Sequence, residues 1–112
     1  MPTTYKILGQ AAPTPNTLTA VYTVPSATEA VISTITVCNQ TATNVSYSIS
    51  IASNGAADAN SQYIIRGGVV PAADSIGITL GITANAADVI RANTNPAVNA
   101  TVSFNIFGSE IT

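Results

Sequence analysis

The sequence predicts an all-β protein: a single antiparallel β-sandwich, or jelly-roll-like domain, of about eight short strands. Three observations lead there. Residues 45–51, Val-Ser-Tyr-Ser-Ile-Ser-Ile, alternate apolar and hydroxyl side chains without an error, and a period of two sends successive side chains to opposite faces of a strand. Clusters of Gly, Pro, Asn, Asp and Ser recur between such segments at a spacing of roughly 8–15 residues, as short strands joined by turns require. No segment sustains the period of an amphipathic helix, and there is no fixed-period internal repeat. The 112 residues make one domain, residues 1–112, long enough to bury roughly two-thirds of its unfolded surface.

Residues 4–8 form a first short strand ended by Gly9. Pro13 and Pro15 make 10–16 an extended connection, since proline lacks the donor that a central strand needs. Leu18, Ala20, Tyr22 and Val24 alternate with Thr17, Thr19, Val21 and Thr23 in a second strand that stops at Pro25. Ser26-Ala27-Thr28-Glu29 has the spacing of a helix capping box, but the β-branched run after it favours a simple turn. Residues 29–51 read as one long β-hairpin around which the rest is organised. Its first arm is rich in β-branched residues, with Val31, Ile35 and Val37 on one face and Ile32, Thr34, Thr36 and Cys38 on the other. That second face is only half polar. Residues 39–44, Asn-Gln-Thr-Ala-Thr-Asn, supply the turn, and the second arm places Val45, Tyr47, Ile49 and Ile51 together.

Residues 53–61 are the longest turn-like stretch, an exposed loop with room for a short helical turn. A short strand over 62–66 closes at Gly67-Gly68, and Pro71 leads into a turn over 72–74. Ile76, Ile78, Leu80 and Ile82 then alternate with Ser75, Gly77, Thr79 and Gly81, where outward glycines let another backbone approach. A turn at 84–88 leads to a strand over 89–92, and Pro96 marks a loop over 93–97. In the last strand Val98, Ala100, Val102, Phe104 and Ile106 oppose Asn99, Thr101, Ser103 and Asn105.

Charge narrows the function. Only 7% of the residues are charged, against a typical ~25%, and the bases are Lys6, Arg66 and Arg91 alone. Three cations offer little for neutralising phosphates, so no nucleic acid is expected as a partner. A single cysteine, Cys38, allows no disulfide within the chain and, inside a strand pattern, reads as an inert buried thiol. No apolar run approaches the ~18 residues of a membrane helix. The first residues lack the apolar stretch of a signal peptide, so synthesis in a cytoplasm without an export signal of its own is expected. With 46% apolar residues the chain differs both from a disordered segment and from a solitary domain kept soluble by mixed surface charge. Either neighbouring subunits cover part of its surface, or it presents a neutral, hydroxyl-rich β surface to water.

Catalytic chemistry is sparse. The chain has no histidine, the commonest general base and metal ligand, and one cysteine cannot make a Cys/His zinc site. Glu29, Asp58, Asp74 and Asp88 fall in predicted turns and Glu110 does not. A carboxylate pair of the glycosidase kind is the functional alternative to acids that merely form turns. Asp58-Ala59-Asn60 is a faint hint of a calcium loop. There is no nucleophile elbow, and Gly67-Gly68 has neither the lysine nor the spacing of a phosphate loop. The sequons at Asn39, Asn44 and Asn99 read as chance in a chain so rich in Asn and Thr. Tyr5, Tyr22, Tyr47 and Tyr63 could stack on sugars, but each sits in a strand pattern where packing is the default. A non-enzymatic protein with no cofactor and no metal is expected.

The opening Tyr5-Lys6-Ile7-Leu8-Gly9-Gln10, the strand ending Tyr22-Thr23-Val24-Pro25, the run from Val31 to Asn39 and the close Phe107-Gly108-Ser109-Glu110-Ile111 together resemble a group of small virion proteins of tailed bacteriophages, including those infecting cyanobacteria. The likeness spans nearly the whole chain through structural motifs, not catalytic ones. It implies a small β-sandwich that decorates or cements a capsid, or joins tail structures, and that assembles into virions in the bacterial cytoplasm. The expected function is capsid decoration that stabilises the head shell, with the major capsid protein or another virion protein as partner and no membrane. An adhesin or fibre-type module that binds host glycans through exposed tyrosines and amides is the alternative, and a free cytosolic binding domain is a third reading. A homo-oligomer is expected, with a trimer favoured because capsid lattices offer three-fold junctions. Apolar residues on faces that should meet solvent mark interaction sites, which makes Ile32, Cys38, Val21, Phe107 and Ile111 the candidate interface. The ends, residues 1–4 and 109–112, are expected to become ordered only on docking.

Overall fold

Two four-stranded antiparallel sheets face each other across one core in the computed structural model, which describes residues 2–14, 16–95 and 101–112 and, of Leu80, the backbone alone. The strands are β1 (Thr3–Ala11), β2 (Thr19–Thr23), β3 (Glu29–Asn39), β4 (Val45–Ala52), β5 (Tyr63–Val70), β6 (Ser75–Ala84), β7 (Val89–Asn95) and β8 (Val102–Ile111). Short 3-10 turns over Ser53–Gly55 and Asn60–Gln62 break up the loop before β5, as its composition allows. The front sheet runs β1-β8-β3-β6 and the back sheet β2-β7-β4-β5. The expected inward placing of Leu80, Val98 and Ala100, the loop at Pro96 and the sequon at Asn99 lie outside the described residues, as do Met1 and Pro15.

Antiparallel pairing joins β1 to β8, β2 to β7, β3 to β6 and β4 to β5. The chain is therefore a long two-stranded ribbon wrapped on itself, and successive stretches of the ribbon fall in opposite sheets. Pairing of β3 with β8 and of β4 with β7 completes each sheet. This is jelly-roll connectivity, within the predicted fold class.

Residues 29–51 are not a hairpin. β3 lies between β8 and β6 in front, while β4 lies between β7 and β5 behind, so residues 40–44 cross from sheet to sheet. Both arms carry enough apolar side chains for central positions, and stacking them across the core buries more of that surface than laying them side by side. The crossing is fixed by Asn39, which is only 1% exposed. Its Nδ2 donates to the carbonyls of Thr43, Val70 and Pro71 at 2.7, 3.2 and 3.2 Å. Its Oδ1 accepts from the N–H and the hydroxyl of Thr41 at 3.0 and 2.6 Å. One buried amide thus ties the end of β3 to the crossing and to the end of β5.

The core draws Ile32, Ile35, Val37, Phe104 and Ile106 from the front sheet and Tyr22, Val45, Tyr47, Ile49 and Ile90 from the back. The rings of Tyr47 and Phe104 meet across the sheets with centroids 6.4 Å apart, tilted by 59°. Val45, Tyr47, Ile49, Val102, Phe104 and Ile106 take the inward places expected of them, and Ile51 sits half-buried at the margin.

Slips in pairing decide which side chains leave the core. Leu8 is skipped between Ile7 and Gly9 where β1 pairs with β8, and Ser33 is skipped where β3 pairs with both of its neighbours. The two slips flank Phe107 of β8, that of β1 falling between Phe107 and Ile106 and that of β3 between Phe107 and Gly108. A bulge exchanges the two faces of a strand beyond it, so Ile32 joins Ile35 inside and Val31 turns out, the reverse of the even alternation expected for β3. A Cβ at Gly108 would run into the Val31 carbonyl, so this close approach of β3 to β8 requires glycine. A further bulge at Gly67, with φ of 74°, carries β5 through the glycine pair that was expected to end it. β7 likewise continues to Asn95 instead of turning at Asn93. The described residues at the ends are held in the front sheet, where Thr3 pairs with Ile111 and the Thr112 N–H donates to the Pro2 carbonyl at 3.1 Å. Their order does not wait on docking.

Phe104→Ala is expected to cost ~3–5 kcal/mol in chemical denaturation, as truncation of a fully buried ring does. Asn39→Ala is expected to cost at least about 2 kcal/mol, because it strands several buried carbonyls at once. A loss below about 1 kcal/mol at either position would contradict the packing described.

Candidate functional site

The outer face of the front sheet can be followed rung by rung. Tyr5, Ser109, Val31 and Thr83 form one rung, and Ile7, Phe107, Thr34 and Thr79 the next. Gln10, Asn105, Thr36 and Gly77 follow, then Ser103, Cys38 and Ser75. None of these side chains is charged. Tyr5 is 83% exposed, Ile7 51% and Val31 37%, and with Phe107, Ser33 and Lys6, whose ammonium pairs with Glu110, they line a shallow depression of about 600 Å³. Away from it the face turns to hydroxyls, to the Gln10–Asn105 amide pair at 2.7 Å, and to Gly77 and Gly81, where a Cβ would meet nothing within 4 Å.

The residues expected at an interface are divided by the structure. Phe107 and Cys38 lie in the rungs just described, and Ile111 sits half-buried on the same face between Thr3 and Glu29. Val21 belongs to β2 in the back sheet, half-buried against the core at a slip between Ala20 and Tyr22. Ile32 is 0% exposed. It is a core residue and cannot touch a partner, because the Ser33 bulge turns it inward. The side chains missed are Tyr5, Ile7 and Val31. Tyr5 and Ile7 visibly alternate around Lys6, but alternation alone does not say which side faces the core.

Titratable chemistry gathers at one end of the sandwich. The Tyr22 hydroxyl of the back sheet donates to Glu110 Oε2 at 2.6 Å, and Lys6 Nζ approaches Oε1 at 3.0 Å. The hydrogen bond from Tyr22, followed by that from Lys6, holds the Glu110 carboxyl below the usual range. Burial first, then the bond to Glu110, pushes the Tyr22 phenol well above its ordinary value. Glu110 faces a phenol and an ammonium with no second carboxylate among the described contacts, so this cluster ties the sheets together and does not form an acid pair. The other acids serve turns. Asp88 accepts the N–H groups of Asn54 and Asn85 at 2.8 and 2.9 Å, Asp74 accepts that of Ser75 at 2.8 Å, and Asp58 accepts the Tyr63 hydroxyl at 3.1 Å. Glu29 opens β3 at the surface. Among the described residues, no three His, Cys, Asp or Glu side chains gather where a metal ion could be held.

Of the tyrosines, Tyr22 and Tyr47 belong to the core. Tyr63 is half-buried beneath the Arg66 guanidinium, whose carbon lies 4.4 Å from the ring centroid. Tyr5 alone offers an open ring. Among the described residues no helix is long and apolar enough to cross a membrane. No protein-family model matches this chain, and no curated protein matches it either.

The depressed Glu110 carboxyl makes a pH prediction. A carboxyl held low in the folded state contributes stability at pH values above its unfolded value, and that stability is lost as the pH falls through the folded value. Tyr22→Phe is therefore expected to cost about 1–2 kcal/mol at neutral pH and to move the Glu110 titration, followed by carboxyl NMR, up towards the ordinary range. An unmoved titration would show that the bond is not made.

Proposed function

We propose that the protein is a non-enzymatic virion structural protein of a tailed bacteriophage, a capsid decoration protein that lies on the head shell by the outer face of its front sheet. The observation that carries this reading is that face: four rungs without a charge, with Tyr5, Ile7, Val31 and Phe107 gathered at one end. Docking these rungs on another protein removes apolar surface from water at ~25 cal/mol per Å², while the nearest charges, Lys6 and Glu29, stand at their margin, which limits the stripping of water from ions, the costly step in burying polar surfaces. The open backbone at Gly77 and Gly81 lets a neighbouring surface come close. A jelly roll serves many functions and decides nothing by itself. The capsid enters through the resemblance of the sequence to small phage virion proteins. The partner is then the major capsid protein or another virion protein, and the protein acts as a homo-oligomer, three-fold at the lattice junctions, adding buried area across capsomers against the pressure of packaged DNA.

The double variant Tyr5→Ser, Ile7→Asp changes two exposed side chains and should fold as the parent does. Added to particles that lack the protein, it is expected to occupy them at least ~10-fold less well, since one or two kcal/mol of lost contact suffices for that. The parent is expected to stay attached as salt rises, since few charges are available to be screened, and to sediment as a trimer when free. A variant that loads like the parent, or a parent monomer that detaches at moderate salt, would overturn the reading.

A further inference from the structure

The outer face of the back sheet has a different chemistry. Two rungs cross β7, β4 and β5 there, Asn93 with Ser48 and Arg66, then Asn95 with Ser46 and Val69. All but Val69, together with Asn16, line a depression of about 300 Å³, the lower end of the size of ligand sites. Strand geometry fixes its footprint, because two rungs two residues apart and three strands wide cover about 7 by 10 Å, room for a sugar ring with its substituents.

Much of the polar equipment here is uncommitted. The Ser46 hydroxyl donates to the Asn95 carbonyl at 3.3 Å, and Ser48 Oγ accepts the Gly67 N–H at 3.3 Å, which leaves its own proton to give. Arg66 spends one N–H on Asn60 Oδ1 at 3.0 Å and lies over the Tyr63 ring. Its other N–H groups, and the side-chain amides of Asn16 and Asn95, make no hydrogen bond among the described residues. Asn93 Oδ1 is buried without a partner. Arg91, the other cation of this sheet, is occupied with the carbonyls of Ala56 and Gly55 at 2.9 and 3.3 Å.

Amides and hydroxyls both donate and accept, which suits the alternating demands of sugar hydroxyls. The planar fork of a guanidinium fits a carboxylate, and one free cation is too few to hold a polyphosphate backbone. We propose that this depression binds an acidic saccharide unit, a carboxylated sugar of a surface polysaccharide, with Arg66 on the carboxylate and Ser46, Ser48, Asn93 and Asn95 around the ring. The site lies on the opposite sheet from the docking face, so it stays open in an attached protein, and it does not depend on that docking.

The test is a titration of the full-length protein, followed by amide NMR, with trigalacturonate and with sialyllactose, against maltotriose and sodium acetate as controls. Saturable binding of at least one acidic sugar is expected, with shifts centred on residues 46, 48, 66, 93 and 95, and binding of maltotriose and acetate at least ~10-fold weaker. Arg66→Gln, an exposed change checked for folding by its spectrum, should weaken the acidic sugar by ~10-fold or more, as loss of a charge-assisted pair does, and leave maltotriose unchanged. Ile7→Asp should bind as the parent does, whatever it does to particle attachment. No saturable binding of either acidic sugar, shifts centred elsewhere, acetate binding as tightly, or an Arg66→Gln variant that binds like the parent would each overturn the proposal.

Discussion

The two faces of the front sheet are set by slips in pairing that β1 and β3 make on either side of Phe107. Gln10 and Thr34 face outward, and counting back from them in even alternation would bury Tyr5, Ile7 and Val31 and expose Lys6 and Ile32. Skipping Leu8 and Ser33 turns each of these side chains to the other side of the sheet. Ile32 enters the core, and Lys6, still partly in solvent, reaches Glu110, whose other carboxylate oxygen accepts the Tyr22 hydroxyl. Tyr5, Ile7 and Val31 are left in water. A bulge costs ladder hydrogen bonds, and here it also costs the burial of three large side chains. The fold accepts both while keeping its core closed.

The result is a molecule with two unlike surfaces. Stability resides between the sheets, where Phe104, Tyr47 and the isoleucines pack, and in the Asn39 amide that pins the crossing from β3 to β4. The exposed apolar cluster in front adds little to that stability, since Tyr5 remains in solvent, so its presence is better explained by contact with something else. The back sheet carries amides, hydroxyls and a stacked guanidinium on its outer side, groups that water satisfies well and that a polar ligand satisfies as well. One face favours association driven by apolar burial, and the other favours recognition by hydrogen bonds.

How far the sequence foretold this depends on the strand. β8 makes its slips through its partners and keeps its own alternation, so Val102, Phe104 and Ile106 were legible as core. β4 behaves alike up to Ile49. On β3 the alternation breaks at Ser33, and nothing about a serine in a β-branched run announces a bulge, so Ile32 and Val31 exchanged places. The crossing at residues 40–44 has the same turn-forming composition as a hairpin loop, and strands adjacent in sequence usually pair. What separates them is the pairing of β3 with β6 and β8, which is long-range. Tyr22 and Glu110 stand 88 positions apart, and neither shows in the sequence that it holds the other. The rungs that bring Arg66, Ser48 and Asn93 together are equally a product of topology.

The central claim is that the four uncharged rungs on the outer face of the front sheet are the surface by which the protein is held on its particle. A reconstruction of the virion by electron cryo-microscopy, at a resolution that shows strands, tests it most directly. The account predicts density for a jelly roll with Tyr5, Ile7, Val31 and Phe107 against the underlying shell and with Arg66 and Asn95 facing outward. A jelly roll seated the other way round, with Tyr5 and Ile7 in solvent and the back sheet against the shell, would contradict it.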